Sequence, residues 1–237
     1  IDVIFIKGNV NSEKVSAIYK PENTNIEIED IKINIPNNDL VFSSKQANID
    51  GDTFVPAIKL YNWLDLINNN KNKIRSEFNL DFKTLNLENW LKYFTENDSQ
   101  NNAMAFDISG SIKIDNFYYE KIKFKNALLN GIYIEDNISV KSLKMEGQDG
   151  EYLLKISTSD FNLDEFTIKV DGTTTNINQK KLFDEFQNFN QNWITTKNLK
   201  GILSSKFNAS FTFDQNKNLI SEKSKLQSLS QFKDFSI

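Results

Sequence analysis

Residues 180–214, KKLFDEFQNFNQNWITTKNLKGILSSKFNASFTFD, change their period halfway. In the first half Leu182, Phe183, Phe186 and Phe189 fall at i, i+1, i+4 and i+7, the stripe of an amphipathic helix. In the second half the spacing drops to two. Leu203, Ser205, Phe207, Ala209, Phe211 and Phe213 point one way, and Ser204, Lys206, Asn208, Ser210, Thr212 and Asp214 the other. A short helix feeding a long half-buried strand is expected, which raises the question of what so phenylalanine-rich a sheet surface faces.

The same period recurs outward from this stretch. In NIEIEDIKINI the apolar set is Ile26 and Ile28, then Ile31, Ile33 and Ile35, two in-phase pieces joined by a bulge at Asp30. MAFDISGSIKIDNF sets Phe106, Ile108, Ile112 and Ile114 against Asp107, Ser109, Ser111, Lys113 and Asp115. GIYIEDNISVKSLKMEGQDGEYLLKIST reads as successive strands with a turn near Asp136 and Asn137 and a hairpin at Asp149-Gly150, and FTIKVDG adds Phe166, Ile168 and Val170 on one side. The expected fold is mainly β, an elongated, curved antiparallel sheet, either a groove or an open sandwich, with a few short helices.

Three helices are expected, near 57–67, 87–95 and 180–189. PAIKLYNWLDLI places Leu60, Trp63, Leu64 and Ile67 on one face with Pro56 before them, and NLENWLKYF places Leu87, Trp90, Leu91 and Phe94 likewise. The Asn-rich segments 67–74 and 95–103 read as loops, the second as a module boundary. DFKTLNLENWLKYF from Asp81 and DGTTTNINQKKLFDEF from Asp171 share Asp, Thr and Asn before a helical stretch, a faint internal repeat that needs a one-residue insertion to align its helices.

Composition narrows the function classes. Hydrophobic residues make up 39% of the 237 and there are 8 Gly, so a thin or extended core is expected in place of a thick closed one. Much of the apolar mass lies in 19 Phe, which bury area without a polar tip that needs a partner. A net charge of -4 argues against nucleic acid as partner, since phosphate contact needs concentrated Lys and Arg. With no Cys and no His, thiolate nucleophiles, imidazole bases and the common zinc ligand sets are ruled out. No apolar run reaches membrane-spanning length and the N-terminus lacks the design of a signal peptide. Beginning at Ile1, the sequence reads as a fragment of a longer protein.

No catalytic constellation is visible, and no cofactor or metal is expected. The acids Glu27, Glu29, Asp107, Asp115 and Asp171 fall on the wet face or in turns. NIDGDT around Asp50 and Asp52 has its Gly in the wrong place for a calcium loop and reads as a turn. NIS at Asn137 and NAS at Asn208 carry no weight as glycosylation acceptors, and no phosphate loop, nucleophile elbow or dinucleotide fingerprint is present. The aromatic stripes read either as ordinary sandwich core or as the inner face of an open sheet that holds an apolar ligand.

FDISGSIKIDNFYYEKIKFKNALLNGIYIEDNISVKSLKMEGQDGEYLLKIS, followed by TTTNINQKKLFDEFQNFNQNWITTKNLKGILSSKFNASFTFD and KSKLQSLSQFKDFSI, resembles the AsmA-like C-terminal region of bacterial envelope proteins, in the style of AT-rich Bacteroidetes. The resemblance covers residues 104–237 and extends to 1–103 only in general character. Where family hairpins carry a Gly-Gly pair, this chain has Gly147 and Gly150 separated by Gln148 and Asp149. Two modules are expected, an N-terminal β-rich one over 1–103 with two short helices and an AsmA-like one over 104–237, with one continuous sheet as the alternative. The resemblance implies a periplasmic, non-enzymatic role in a protein anchored in the inner membrane, with phospholipid or another acyl-chain lipid as ligand and envelope assembly proteins as further partners. The expected lipid-lining residues are Phe106, Ile108, Ile112, Ile114, Leu203, Phe207, Phe211 and Phe213. The alternative is a scaffolding module for outer-membrane assembly whose aromatic face is fully packed sandwich core.

Overall fold

The computed structural model describes residues 7–19, 24–63, 74–90, 106–134, 137–159, 163–190, 196 and 199–236. The chain is mainly β. Its strands are β1 (Gly8–Tyr19), β2 (Thr24–Ile35), β3 (Leu40–Ser43), β4 (Gln46–Ile49), β5 (Asp52–Tyr61), β6 (Ile74–Asn86), β7 (Phe106–Tyr119), β8 (Ile122–Ile134), β9 (Asn137–Gly147), β10 (Gly150–Thr158), β11 (Glu165–Asn178), β12 (Lys200–Asp214) and β13 (Lys225–Ser236). Helical structure among the described residues is confined to short pieces, at 87–90, Gln179–Glu185, Gln187–Asn190 and Ser221–Lys223. Two compact units divide the chain, Ile1–Ile114 with Ile132–Glu135 and Asp115–Gly131 with Asp136–Ile237.

In the first unit the strand order runs β1, β2, β3, β5, β6 and on to the start of β7, and β4 pairs with β2 and β5. β3 and β4 occupy one lane, broken at Ser44 and Lys45. Across that break β5 carries Pro56, between Ala57, which pairs with Ser43, and Phe54, which pairs with Ala47. Proline has no N–H to offer a ladder, so it is tolerated where the neighbouring strand is interrupted. Its carbonyl is used, accepting from the Ser44 N–H at 3.3 Å.

This overturns the helix expected over 57–67, because β5 continues to Tyr61. The segment has a strand on each side: Ile58 pairs with Phe42 and with Phe78, and Leu60 with Leu40 and Ser76. Two ladders outweigh the helical spacing of four apolar residues, since propensity yields to tertiary pairing. Trp63 lies in the turn that follows, its N–H donating to Asn38 O at 3.0 Å, and residues 64–67 fall outside the described residues. The loops expected at 67–74 and 95–103 also fall outside them, save Ile74, which opens β6.

Asp30 takes a left-handed φ of 50° where the inward set of β2 passes from even to odd numbers, but the expected bulge is absent, because no extra residue is inserted against β1, β3 or β4. β1 keeps step with it, pairing Ser12 with Ile31 and Lys14 with Glu29, so the face changes parity without a slip in register.

In the second unit the order is the end of β7, then β8 to β13 in sequence. The β9–β10 hairpin closes with Gly147 opposite Gly150, and its two turn residues are Gln148 (φ 48°) and Asp149 (φ 64°). The expected turn at Asp149-Gly150 is thus shifted back by one residue. The two glycines are needed for space: a Cβ on Gly150 would overlap Thr175 O and lie 2.7 Å from Ile177 Cδ1, and one on Gly147 would meet the Phe124 ring. Two successive left-handed residues form a two-residue turn of the hand that matches strand twist.

The faint sequence repeat exists as geometry. In each unit a tight hairpin leads into two antiparallel strands, and the second ends in an Asn that caps a short helix. The Asn86 side chain accepts the Glu88 N–H at 3.1 Å, and that of Asn178 accepts the Lys181 N–H at 3.2 Å. Each helix is tied back to the hairpin. In the first unit Trp90 Nε1 donates to Asp52 at 2.9 Å across 38 residues, and in the second Gln148 Nε2 donates to Glu185 at 2.6 Å across 37. The caps match Asn86 with Asn178; Asn176, its match by sequence, sits at φ 58° in a bulge that shifts the β11–β12 register.

Candidate functional site

β9 to β12 pair in a register that gathers most of their apolar residues on one face, with the exposed Leu153 on the other. Leu143, Leu154, Gly172 and Phe207 lie side by side across four strands, and Val140, Ile156, Val170 and Ala209 form the next row. Ile168 with Phe211 and Phe166 with Phe213 extend the face toward the other end of β12. The opposite face carries Lys155, Asp171, Lys206 and Asn208, with Asn208 Nδ2 donating to the Asp171 carboxylate. Within this unit the described strands form a single layer over most of this face, and Leu154, Ile156, Val170, Phe207, Phe211 and Phe213 stay only half-buried.

Glycine shapes the middle of the face. A Cβ on Gly172 would overlap Cζ of Phe207 and lie 2.8 Å from Leu154 Cδ2, so the Phe207 ring lies down over the glycine toward Leu154. Phe166 and Phe213 stack at 5.3 Å between centroids with planes 16° apart. No hydrogen-bonding side chain interrupts Phe207, Ala209, Phe211 and Phe213 along this side of β12.

One end of the face is closed. Ile177, 1% exposed, and the buried Gln179 carry the chain into the helix Gln179–Glu185. Tyr152 lies on the apolar side opposite Met145 and Thr174 and packs edge-on against Phe124 at 5.4 Å. Its hydroxyl donates to Gln148 Oε1, Gln148 Nε2 donates to Glu185 Oε2, and Glu185 Oε2 also accepts the Lys123 N–H at 3.2 Å. Burial pushes the Tyr152 phenol well above its usual range, and the nearby Glu185 carboxylate adds to the rise. This part-buried polar chain fastens the helix to the hairpin and keeps the phenol protonated.

The eight expected lining residues fall four in each unit. Leu203, Phe207, Phe211 and Phe213 share one side of β12, with Leu203 between Ile177 and Phe232. On β7, Ser111 Oγ donates to Asn79 at 2.6 Å and Lys113 pairs with Asp81 at 3.3 Å. The even-numbered residues Ile108, Ile112 and Ile114 therefore face the side of Phe78, Leu80 and Phe82 in the first unit, with Ile114 buried. Phe106 is the first residue of that strand. Sequence reasoning missed Gly172, Tyr152, Gln148 and Glu185; the Gly in an otherwise alternating strand was the available signal.

Among the described residues no cluster of three or more His, Cys, Asp or Glu could hold a metal ion. Several carboxylates pair with lysines at the surface, such as Asp149 with Lys181 at 2.5 Å and Glu165 with Lys223 at 2.7 Å. Asp50 and Gly51 form a turn, both with positive φ, and the buried Asp52 accepts from the Trp90 indole and the Asn86 N–H. No helix among the described residues is long and apolar enough to cross a membrane. No protein-family model, curated protein or solved structure matches this chain.

Proposed function

We propose that the apolar face of β9 to β12 binds acyl chains and that the chain is a non-enzymatic lipid-handling module. The observation that carries this reading is an apolar face left incompletely buried in a single layer of strands and closed at one end by a tethered helix. From Phe207 to Phe213 the strand rises about 20 Å. One bilayer leaflet offers roughly 15 Å of hydrocarbon, half of a ~30 Å core, so the row has room for one acyl chain. Each methylene sheltered contributes about 0.8 kcal/mol, and Phe offers no polar group to fix the register of a bound chain. A chain held in this way can slide between equivalent positions. The resemblance of residues 104–237 to AsmA-like proteins supports the same reading and would place the module in the periplasm, on a parent protein anchored in the inner membrane.

The test is photocrosslinking to phospholipid from a photoreactive residue at position 207 or 211, with position 206 on the opposite face as control. Alongside it, the delipidated protein is titrated with a fluorescent fatty acid. Crosslinking at 207 and 211 but not at 206 is expected. Equal labelling at all three positions, or no saturable fatty-acid binding, would leave the scaffolding reading in its place.

A further inference from the structure

Among the described residues β13 is an edge strand of 12 residues that pairs with β12 alone, and all but one of its residues are exposed. Its apolar side chains are the anomaly. Leu226 (66% exposed) and Phe232 (57%) continue the apolar face next to Ala209 and Leu203. Leu229, opposite Lys206, stands 77% exposed on the mostly polar face, in the cross-strand row that also holds the exposed Leu153. Long edges with apolar side chains and no charge are templates for pairing with another strand, and proteins usually blunt them with charges or proline. β1, the edge strand of the first unit, carries Glu13 and Lys14 near its middle. Seven successive residues of β13, LQSLSQF from Leu226 to Phe232, carry neither charge nor proline, with Lys225 before them and Lys233 and Asp234 after.

This segment complements itself. A two-fold axis perpendicular to a sheet pairs an edge strand with its own copy, antiparallel, and keeps each face continuous across the junction. With the axis at Leu229, Leu226 meets the second copy's Phe232, Ser228 meets Ser230, Gln227 meets Gln231, and Leu229 meets its own equivalent. Every pair matches apolar with apolar or polar with polar, on both faces. At the outer ends Lys225 meets the second copy's Lys233, where like charges facing each other oppose pairing and salt screens them.

We infer that β13 is a homotypic interface, through which two copies of this chain join edge to edge about Leu229. The joined sheets carry the apolar side of β12 from one copy to the next. Because the chain contains no Cys, a single introduced thiol reports the register without interference. Directly opposed residues have Cβ atoms about 4.5–5.5 Å apart, within reach of a disulfide, whereas residues two positions off are not.

The experiment combines sedimentation of the unmodified protein over a range of concentrations with oxidation of three single variants, Leu229→Cys, Gln227→Cys and the turn control Lys217→Cys. A dimer whose fraction rises with concentration and with salt is expected, as is a covalent dimer from Leu229→Cys at least tenfold faster than from the other two. Leu229→Glu, which sets two carboxylates against each other at the axis while facing Lys206 across the β12–β13 ladder of its own chain, should return the protein to monomer. A protein that remains monomeric at all concentrations overturns the inference, as do equal crosslinking rates at the three positions or fastest crosslinking at Gln227→Cys.

Discussion

The ring of Phe207 lies across Gly172, so that the backbone of β11 is the floor on which an aromatic side chain of β12 rests. Gly172→Ala is expected to destabilise by about 1–3 kcal/mol, because the added methyl must push aside both the ring and the Leu154 tip. In a Phe207→Ala background the same substitution should become neutral or slightly stabilising, since Ala then restricts the unfolded chain and meets only a flexible leucine end. A double-mutant cycle in urea measures the coupling; additive effects would mean the ring does not rest there.

Phe207 and Phe211 are half-buried, and truncating either should cost about 1–2 kcal/mol, short of the roughly 3–5 kcal/mol of a fully enclosed phenylalanine. Ile177, 1% exposed at the closed end of the same face, should cost more than either when replaced by Ala. Denaturant midpoints at constant slope rank the three. A Phe211→Ala loss as large as that of Ile177→Ala would show that the face is covered in solution.

Tyr152 should remain protonated to higher pH than a free tyrosine. Its phenol is raised in the folded protein above the unfolded value near 10, so the folded state holds its proton more tightly. The corresponding stability is complete below pH ~10 and is lost as pH rises from there through the folded value. Tyr152→Phe removes the hydroxyl that meets Gln148 and should lower stability at pH 7 while flattening its fall above pH ~10. Urea titrations at pH 7, 9 and 11 compare the two proteins, and parallel curves would refute the assignment.

Asp52→Ala should leave the Trp90 indole and the Asn86 N–H without their acceptor and cost about 1–3 kcal/mol. Asp52→Asn keeps a carbonyl that can accept the indole and should cost less. Tryptophan emission, expected to shift to longer wavelength in the Ala variant, separates release of Trp90 from general unfolding. Equal losses in the two variants would point to a packing role for the side chain instead of an acceptor role.

Strands whose partners merely repeat their own alternation were readable from sequence. Leu203 to Phe213 needed no knowledge of neighbours, because period two with Lys206 and Asn208 interposed fits only a strand with one wet face. The segment after Pro56 was misread because its helical spacing is local while the ladders that overrule it come from Phe42 and Phe78, distant in sequence. The turn was placed one residue late for a related reason. Asp-Gly is a strong turn signal, but Gly150 is required by the close approach of Thr175 and Ile177, which only the third strand brings. The polar chain from Tyr152 through Gln148 to Glu185 could not be seen at all, since nothing in three separate uncharged or surface-like contexts announces that they meet.

The helix tethers span 38 residues in one unit and 37 in the other, which gives the molecule a grain. Each fastening closes within its own stretch of chain, so a hairpin, its two strands and its helix can assemble before the rest has been organised. Chains built from such near-neighbour closures avoid the slow search that long-range pairing imposes. They can also lengthen by duplicating a self-fastened piece, because every added piece arrives with its own stopper and leaves a fresh strand edge for the next.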